Sequence, residues 1–191
     1  SGGAVERVVM TQDRPTFHAT LEDLTDLADG LGLPTGAITE TGLPAQVVST
    51  GLPQMMVPVR SLADVQNLSA DELNVAALNR ACRAVGTECV MVFTRETEQP
   101  ASTVHVRMFA PLLGVPEDPA TGSANGALGA YLVRHRVVPI EGPTVHIVSE
   151  QGAELHRPST LTVEVEHRDG EPTAVRVGGQ VAPVIEGVAT F

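Results

Sequence analysis

The sequence predicts an α+β domain in which a curved sheet folds against or around one helix built of small residues. Three observations carry this reading. Alternating apolar runs outnumber helical ones and do not take turns with them along the chain, which excludes a regular strand-helix-strand rhythm. Asp169 and Gly170, inside "HRDGEP", stand between two such runs and mark a hairpin. The segment "ANGALGAYLVRHR" (124–136) spreads Ala124, Gly126, Ala127, Gly129 and Ala130 over its surface. Glycine costs about 1 kcal/mol relative to alanine inside a helix, so this helix must be held by close packing.

Taken in order, "AVERVVMT" alternates as a strand, and "DRPTF" reads as an exposed crossing segment because Pro15 removes a donor and holds Arg14 extended. "TLEDLTDLADGLGL" places leucines at 21, 24 and 27. It reads as a helix with Thr20 as N-cap, Glu22 and Asp23 in the first turn, and an end near Gly30 or Gly32. "AQVVSTG" and "PQMMVPVR" are strands around a turn at Gly51, Leu52 and Pro53. "SLADVQNL" and "SADELNVAALNRACRAVG" are helices, the second opening at Ser69 with Glu72 three residues on, and "ECVMVF" is a strand. After the polar loop "EQPAS" come the strands "TVHVRMFAP", "TVHIVSEQG", "LTVEVEHR", "TAVRVGG" and "QVAPVIEG", with the small-residue helix between the first two. The chain shows no low-complexity segment, short-period repeat or distinct linker.

Composition narrows the function. The chain has 191 residues, 42% of them hydrophobic, enough to fill a core. There is no apolar run of eighteen residues and no basic-plus-apolar leader pattern, so a soluble, cytoplasmic protein is expected. A net charge of −11, with "RHR" at 134–136 as the strongest basic cluster, offers no footprint for nucleic acid or an anionic membrane. A small molecule or a protein is the expected partner. Cys82 and Cys89 match neither a zinc nor a CxxC pattern and read as buried small hydrophobes. The six histidines are scattered, so no metal site is expected; His105 and His146 sit on one face of alternating strands. Neither G-x-S-x-G nor G-x-G-x-x-G occurs where a hydrolase or dinucleotide site would need it.

The chemistry concentrates in "GVPEDPATGSANGALGAYL" (114–132). Pro119 holds Asp118 extended and presents its carboxylate in one direction. Thr121 and Ser123 are good N-cap residues, and Gly122 lets the backbone approach a neighbour closely. Two readings stand at this point. Either Asp118 or Thr121 merely caps a packed helix, or an acid stands beside unpaired amides that receive an anionic substrate and exchanges a proton with it. Glu117 points away from its neighbour on an extended segment and is expected to be a structural hydrogen-bond acceptor. Gln151 and Arg157 are equally open to orienting this loop and to ordinary turn roles.

On "EDPATGSA" (117–124) the chain resembles the phenazine-biosynthesis PhzF-like family. The likeness extends over "PAQVVSTGLPQMMVPV" (44–59), "VRMFAPLLGVPEDPATGSA" (106–124), "EQGAELHRPSTLTVEV" and "VRVGGQVAPVIEG", in the family's order. A position that is usually Gly before "RPS" in the family is His156 here. The resemblance implies the diaminopimelate-epimerase-like fold, strands wrapped around a central helix, and a cofactor-independent isomerase acting on a small carboxylate by proton transfer. It implies Asp118 as the catalytic acid, with Thr121, Gly122 and Ser123 at the substrate. Cys82 and Cys89 fall outside the motif, so the two-cysteine racemisation of the epimerases is not expected.

Family chains begin with a further domain, carrying a catalytic glutamate in an "N-L-S-E" type segment and a "G-H" motif, and neither occurs here. Residues 1–16 resemble the end of that domain, and 17–191 the C-terminal one. Three arrangements follow: half an enzyme completed by a second domain or subunit, a homodimer that binds or weakly transforms a small carboxylate, or an inactive remnant. An N-terminal strand with no hairpin partner in the chain is expected, and such an edge favours association.

Overall fold

The computed structural model describes residues 5–181 and 187–188. Its strands are β1 (Arg7–Thr11), β2 (Thr16–Thr20), β3 (Gln46–Ser49), β4 (Pro53–Pro58), β5 (Val90–Thr94), β6 (Val104–Ala110), β7 (Val115–Asp118), β8 (Thr144–Gln151), β9 (Ser159–Arg168) and β10 (Glu171–Gln180). The helices are α1 (Thr25–Leu31), α2 (Gly36–Thr39), α3 (Leu62–Gln66), α4 (Val75–Val85) and α5 (Gly122–Arg134). All strands join one mixed sheet in the order β1-β10-β9-β8-β6-β5-β4-β3-β2, with β7 hung on β6. Among the described strands only β4 with β5 and β6 with β8 run parallel, and helices lie in both crossovers between parallel neighbours.

The sheet separates two apolar layers. On one face, Val104, Val106 and Met108 of β6, Val163 and Val165 of β9, and Val175 and Val177 of β10 pack with α5, whose residues 124–133 are all buried. On the other, Val57, Val92 and Phe109 pack with α1 to α4. Period-two alternation assigns the remaining β6 side chains, His105 and Arg107, to Phe109's face. The α+β class holds, as a mixed sheet curled into a half-barrel with few helices. No helix among the described residues is long and apolar enough to cross a membrane.

Several boundaries differ from expectation for identifiable reasons. Thr20 does not cap α1; it ends β2, opposite Gln46, and the helix starts at Thr25, whose N–H donates to Asp23. The crossing segment is shorter than "DRPTF", because Thr16 and Phe17 already pair with β3, and Pro15 is buried. α4 opens not at Ser69 but after Asn74, whose side chain accepts from the Ala77 N–H and whose own N–H donates to Gly30 of α1. Ser69 to Glu72 form only a turn. Ser61 caps α3 and Gly32 closes α1 in the left-handed region. The Asp169-Gly170 hairpin is present, with both residues at positive φ. β1 does have a partner: it runs antiparallel to β10, from Arg7 opposite Gln180 to Thr11 opposite Arg176. Of the strand expected over "QVAPVIEG", Gln180 ends β10 and residues 182–186 lie outside the described residues.

Candidate active site

The Asp118 loop is held from both sides of β7. Extended neighbours point apart. Glu117 therefore turns to Arg107 and accepts from Nε at 2.8 Å and Nη2 at 2.7 Å, with both side chains buried. Arg107 Nη1 donates to the carbonyls of Val65 and Leu68, so one guanidinium ties β7 and the end of α3 to the sheet. The expected structural role of Glu117 is what the contacts display. Asp118 faces the other way, and its Oδ2 accepts from the Thr121 hydroxyl at 2.6 Å.

That bond changes what the helix start offers. Thr121 occupies the N-cap position of α5, yet its hydroxyl serves Asp118 and the helix has no side-chain cap. Uncapped first-turn N–H groups with positive potential are a receptor for a carboxylate or phosphate. A Cβ placed on Gly122 would meet only Met10, at 3.7 Å, so the approach to this backbone is open. Ser123 is drawn inward instead: its hydroxyl accepts from Gln54 Nε2 at 3.2 Å, and its carbonyl from Thr50 at 3.4 Å.

A groove of about 960 Å³ runs from this helix start across β9, β10 and β1, lined among others by Met10, Gly122, Thr160 and Gly178. Of the four predicted site residues only Gly122 lines it. Asp118, Thr121 and Ser123 surround the same helix start without doing so.

Gln151, open to either role by sequence alone, is the clamp of the loop. Its Oε1 accepts from the Thr121 N–H at 3.1 Å and from Asn125 Nδ2 at 2.9 Å. Its Nε2 donates to the Asp118 carbonyl at 2.6 Å and to the Thr121 hydroxyl at 3.1 Å. Beside it Gly152 has φ 84° and lies so near Pro119 that a Cβ would stand 2.5 Å from the Pro119 carbonyl oxygen. Arg157 is exposed and its carbonyl accepts from Ser159. His156 keeps a left-handed backbone, φ 54°.

Three features escaped the sequence. Gln54 lies fully buried in an apolar strand, where a lone amide in "PQMMVP" was the available signal. Asn125, buried among small helical residues, donates to Thr121 and Gln151. His105, expected on one face of an alternating strand, lies fully buried between Glu150 and Glu154. Both cysteines are buried as expected, and burial pushes the Cys82 thiol up to about 12. Among the described residues no His, Cys, Asp and Glu side chains gather in metal-binding geometry.

With an acid, an uncapped helix start and an open groove in place, the comparisons decide the family. Residues 2–187 match the phenazine biosynthesis-like protein family. The chain belongs to that family. It is 36% identical over 175 residues to the uncharacterized isomerase YddE of Escherichia coli strain K12, covering 91% of this chain and 57% of that protein. Over 83 residues, 44% of this chain and 29% of the relative, it is 45% identical to trans-2,3-dihydro-3-hydroxyanthranilate isomerase of Pseudomonas aeruginosa. The PhzF-family phenazine biosynthesis protein of Bacillus anthracis shares the fold at a TM-score of 0.79 and 24% identity, over 92% of this chain and 59% of that one. This PhzF-like chain thus falls in an isomerase family and spans 57% of the length of YddE and 59% of the B. anthracis chain.

Proposed function

We propose that this PhzF-like chain forms one wall of a cofactor-independent isomerase that shifts a proton on a small carboxylate. The observation carrying the proposal is the Asp118–Thr121 bond, which places a carboxylate beside the helix start and leaves that start uncapped. The substrate carboxylate binds the Gly122 and Ser123 amides, and Asp118 exchanges a proton with the adjacent carbon. Isomerisation by C–H transfer needs a group that removes the proton and a group that returns it. Asp118 is one; the other stands on the missing wall, a second domain or subunit. In this reading the curled sheet wraps around α5 as the central helix, and residues 1–16 are the tail of the first domain. Support for a missing wall comes from length, and from β1, whose residues Val8, Val9 and Met10 are all exposed. A self-paired dimer is the second reading, favoured by the outer edge of the same strand, which pairs with no other strand among the described residues.

Light scattering with intact mass spectrometry separates these assemblies: a monomer, or a second co-purifying polypeptide, fits half an enzyme, and a stable dimer of one species fits self-pairing. Chemistry is then tested in the assembly found, with the compound named for the P. aeruginosa relative and other small carboxylates in D2O. Deuterium should enter at carbon, and Asp118→Asn should slow it by about 10²-fold or more. Equal exchange in the variant removes Asp118 from the reaction.

A further inference from the structure

We propose that His105, bridging Glu150 and Glu154, is a positioning residue for Asp118: it anchors both ends of the segment that presses the Asp118 loop onto the start of α5. This rests on the reading of Asp118 as the proton-transferring acid. His105 Nδ1 lies 2.8 Å from Glu150 Oε1, and Nε2 lies 2.7 Å from Glu154 Oε1. Between those two glutamates stand Gln151, whose amide holds the Asp118 carbonyl and Thr121, and Gly152, which leaves no room for a Cβ against Pro119. One buried ring thus fixes a five-residue span whose middle clamps the loop.

The two anchors are unequal. Glu150 also accepts from the N–H groups of Glu98, at 2.6 Å, and Gln99, at 3.1 Å. Glu154 binds the ring through Oε1, and its Oε2 is buried with no hydrogen-bond partner. The charges around the ring are Glu150 from β8, Glu154 from the following turn, and Arg107 along β6, itself paired with Glu117 of β7. The side chain of Glu98, in the adjacent loop, is turned to Gln66. Burial opposes charging the ring, but the hydrogen bonds and charges of Glu154 and Glu150 outweigh it and raise His105 above the ordinary histidine range. Both glutamates are lowered despite burial, Glu150 through the Glu98 amide and His105, Glu154 chiefly through His105.

A charged imidazole donates from both nitrogens; a neutral one donates from one and turns a lone pair toward the other carboxylate. Loss of the proton therefore releases one anchor. Glu154, with fewer partners, is the one released, and the turn after Gly152 slackens against Pro119.

The test is an NMR titration of the isotopically labelled chain from about pH 6 to 9.5, following the His105 ring and the amides of Thr121, Gly122 and Ser123. We expect one shared midpoint above the ordinary value of about 6.5. Glu154→Gln should lower ring and amide midpoints together, by about one pH unit. His105→Gln should abolish the amide step. Amides that stay still while the ring titrates, or midpoints that separate in Glu154→Gln, overturn the proposal. Should His105→Gln fail to fold, Glu154→Gln decides. No substrate enters this measurement, so a failure of the isomerase reading, seen as unchanged exchange in Asp118→Asn, is distinguishable from a failure of the coupling.

Discussion

Gln151 uses its whole amide: two acceptor bonds on Oε1 and two donor bonds on Nε2, all directed into one loop and one helix start. Leucine there would strand the buried Thr121 N–H and the Asp118 carbonyl. Each unsatisfied buried group costs about 1–3 kcal/mol, so Gln151→Leu should lower unfolding free energy by about 3 kcal/mol in urea titrations. Gln54→Leu should cost less. That substitution strands the Ser123 hydroxyl but removes a carbonyl oxygen already buried without a partner. A larger loss for Gln54→Leu than for Gln151→Leu would show that the loop is held elsewhere. Local rules, proline geometry and capping, single out Asp118 and Thr121 in the sequence. Gln151 stays open to them because it stands 30 positions from Thr121 and nothing in the intervening sequence signals their contact.

At the scale of elements, α5 sets packing against propensity. A Cβ on Gly129 would stand 2.6 Å from Val163 Cγ1 and 3.1 Å from Val165 Cγ2, both β-branched side chains with little rotamer freedom. In a free helix Gly→Ala gains about 1 kcal/mol. Here overpacking costs about 1–3 kcal/mol, and Gly129→Ala should lower the urea midpoint. A raised midpoint would mean that helix propensity, not the β9 contact, governs this position. The small-residue composition announced the close approach. It did not say which strand approaches, because β9 lies some thirty residues further on. The start of α4 is set in the same way: Ser69 and Glu72 satisfy a capping pattern locally, but Asn74 is tied to Gly30, and α1 packs against α4.

For the molecule as a whole, the buried triad links stability to pH with a definite sign. His105 is raised in the folded state, so its contribution is complete below about pH 6.5 and is lost as pH rises through the folded value. Glu150 and Glu154 are lowered, so theirs is complete above about pH 4.3 and is lost as pH falls through their folded values. The triad therefore stabilises the fold most between those limits. Thermal unfolding from pH 5 to 9 should show a decline on the alkaline side that is absent in His105→Gln. Parallel curves for the two proteins would place the alkaline decline in other groups.

The sequence by itself determined the α+β class, most strands, the Asp-Gly hairpin, the small-residue helix and the acid loop before it, because each rests on periodicity, turn chemistry or capping within a few residues. The family motif at 117–124 is legible for the same reason: it is contiguous. Only the tertiary structure decided that β1 pairs with β10, that Gln151 and Gly152 press on Asp118 and Pro119, and that His105 and Arg107 are buried against Glu150, Glu154 and Glu117. Those contacts join residues that the sheet order, not the sequence, makes neighbours, and a buried charge can be read from sequence only once the partner that neutralises it is known.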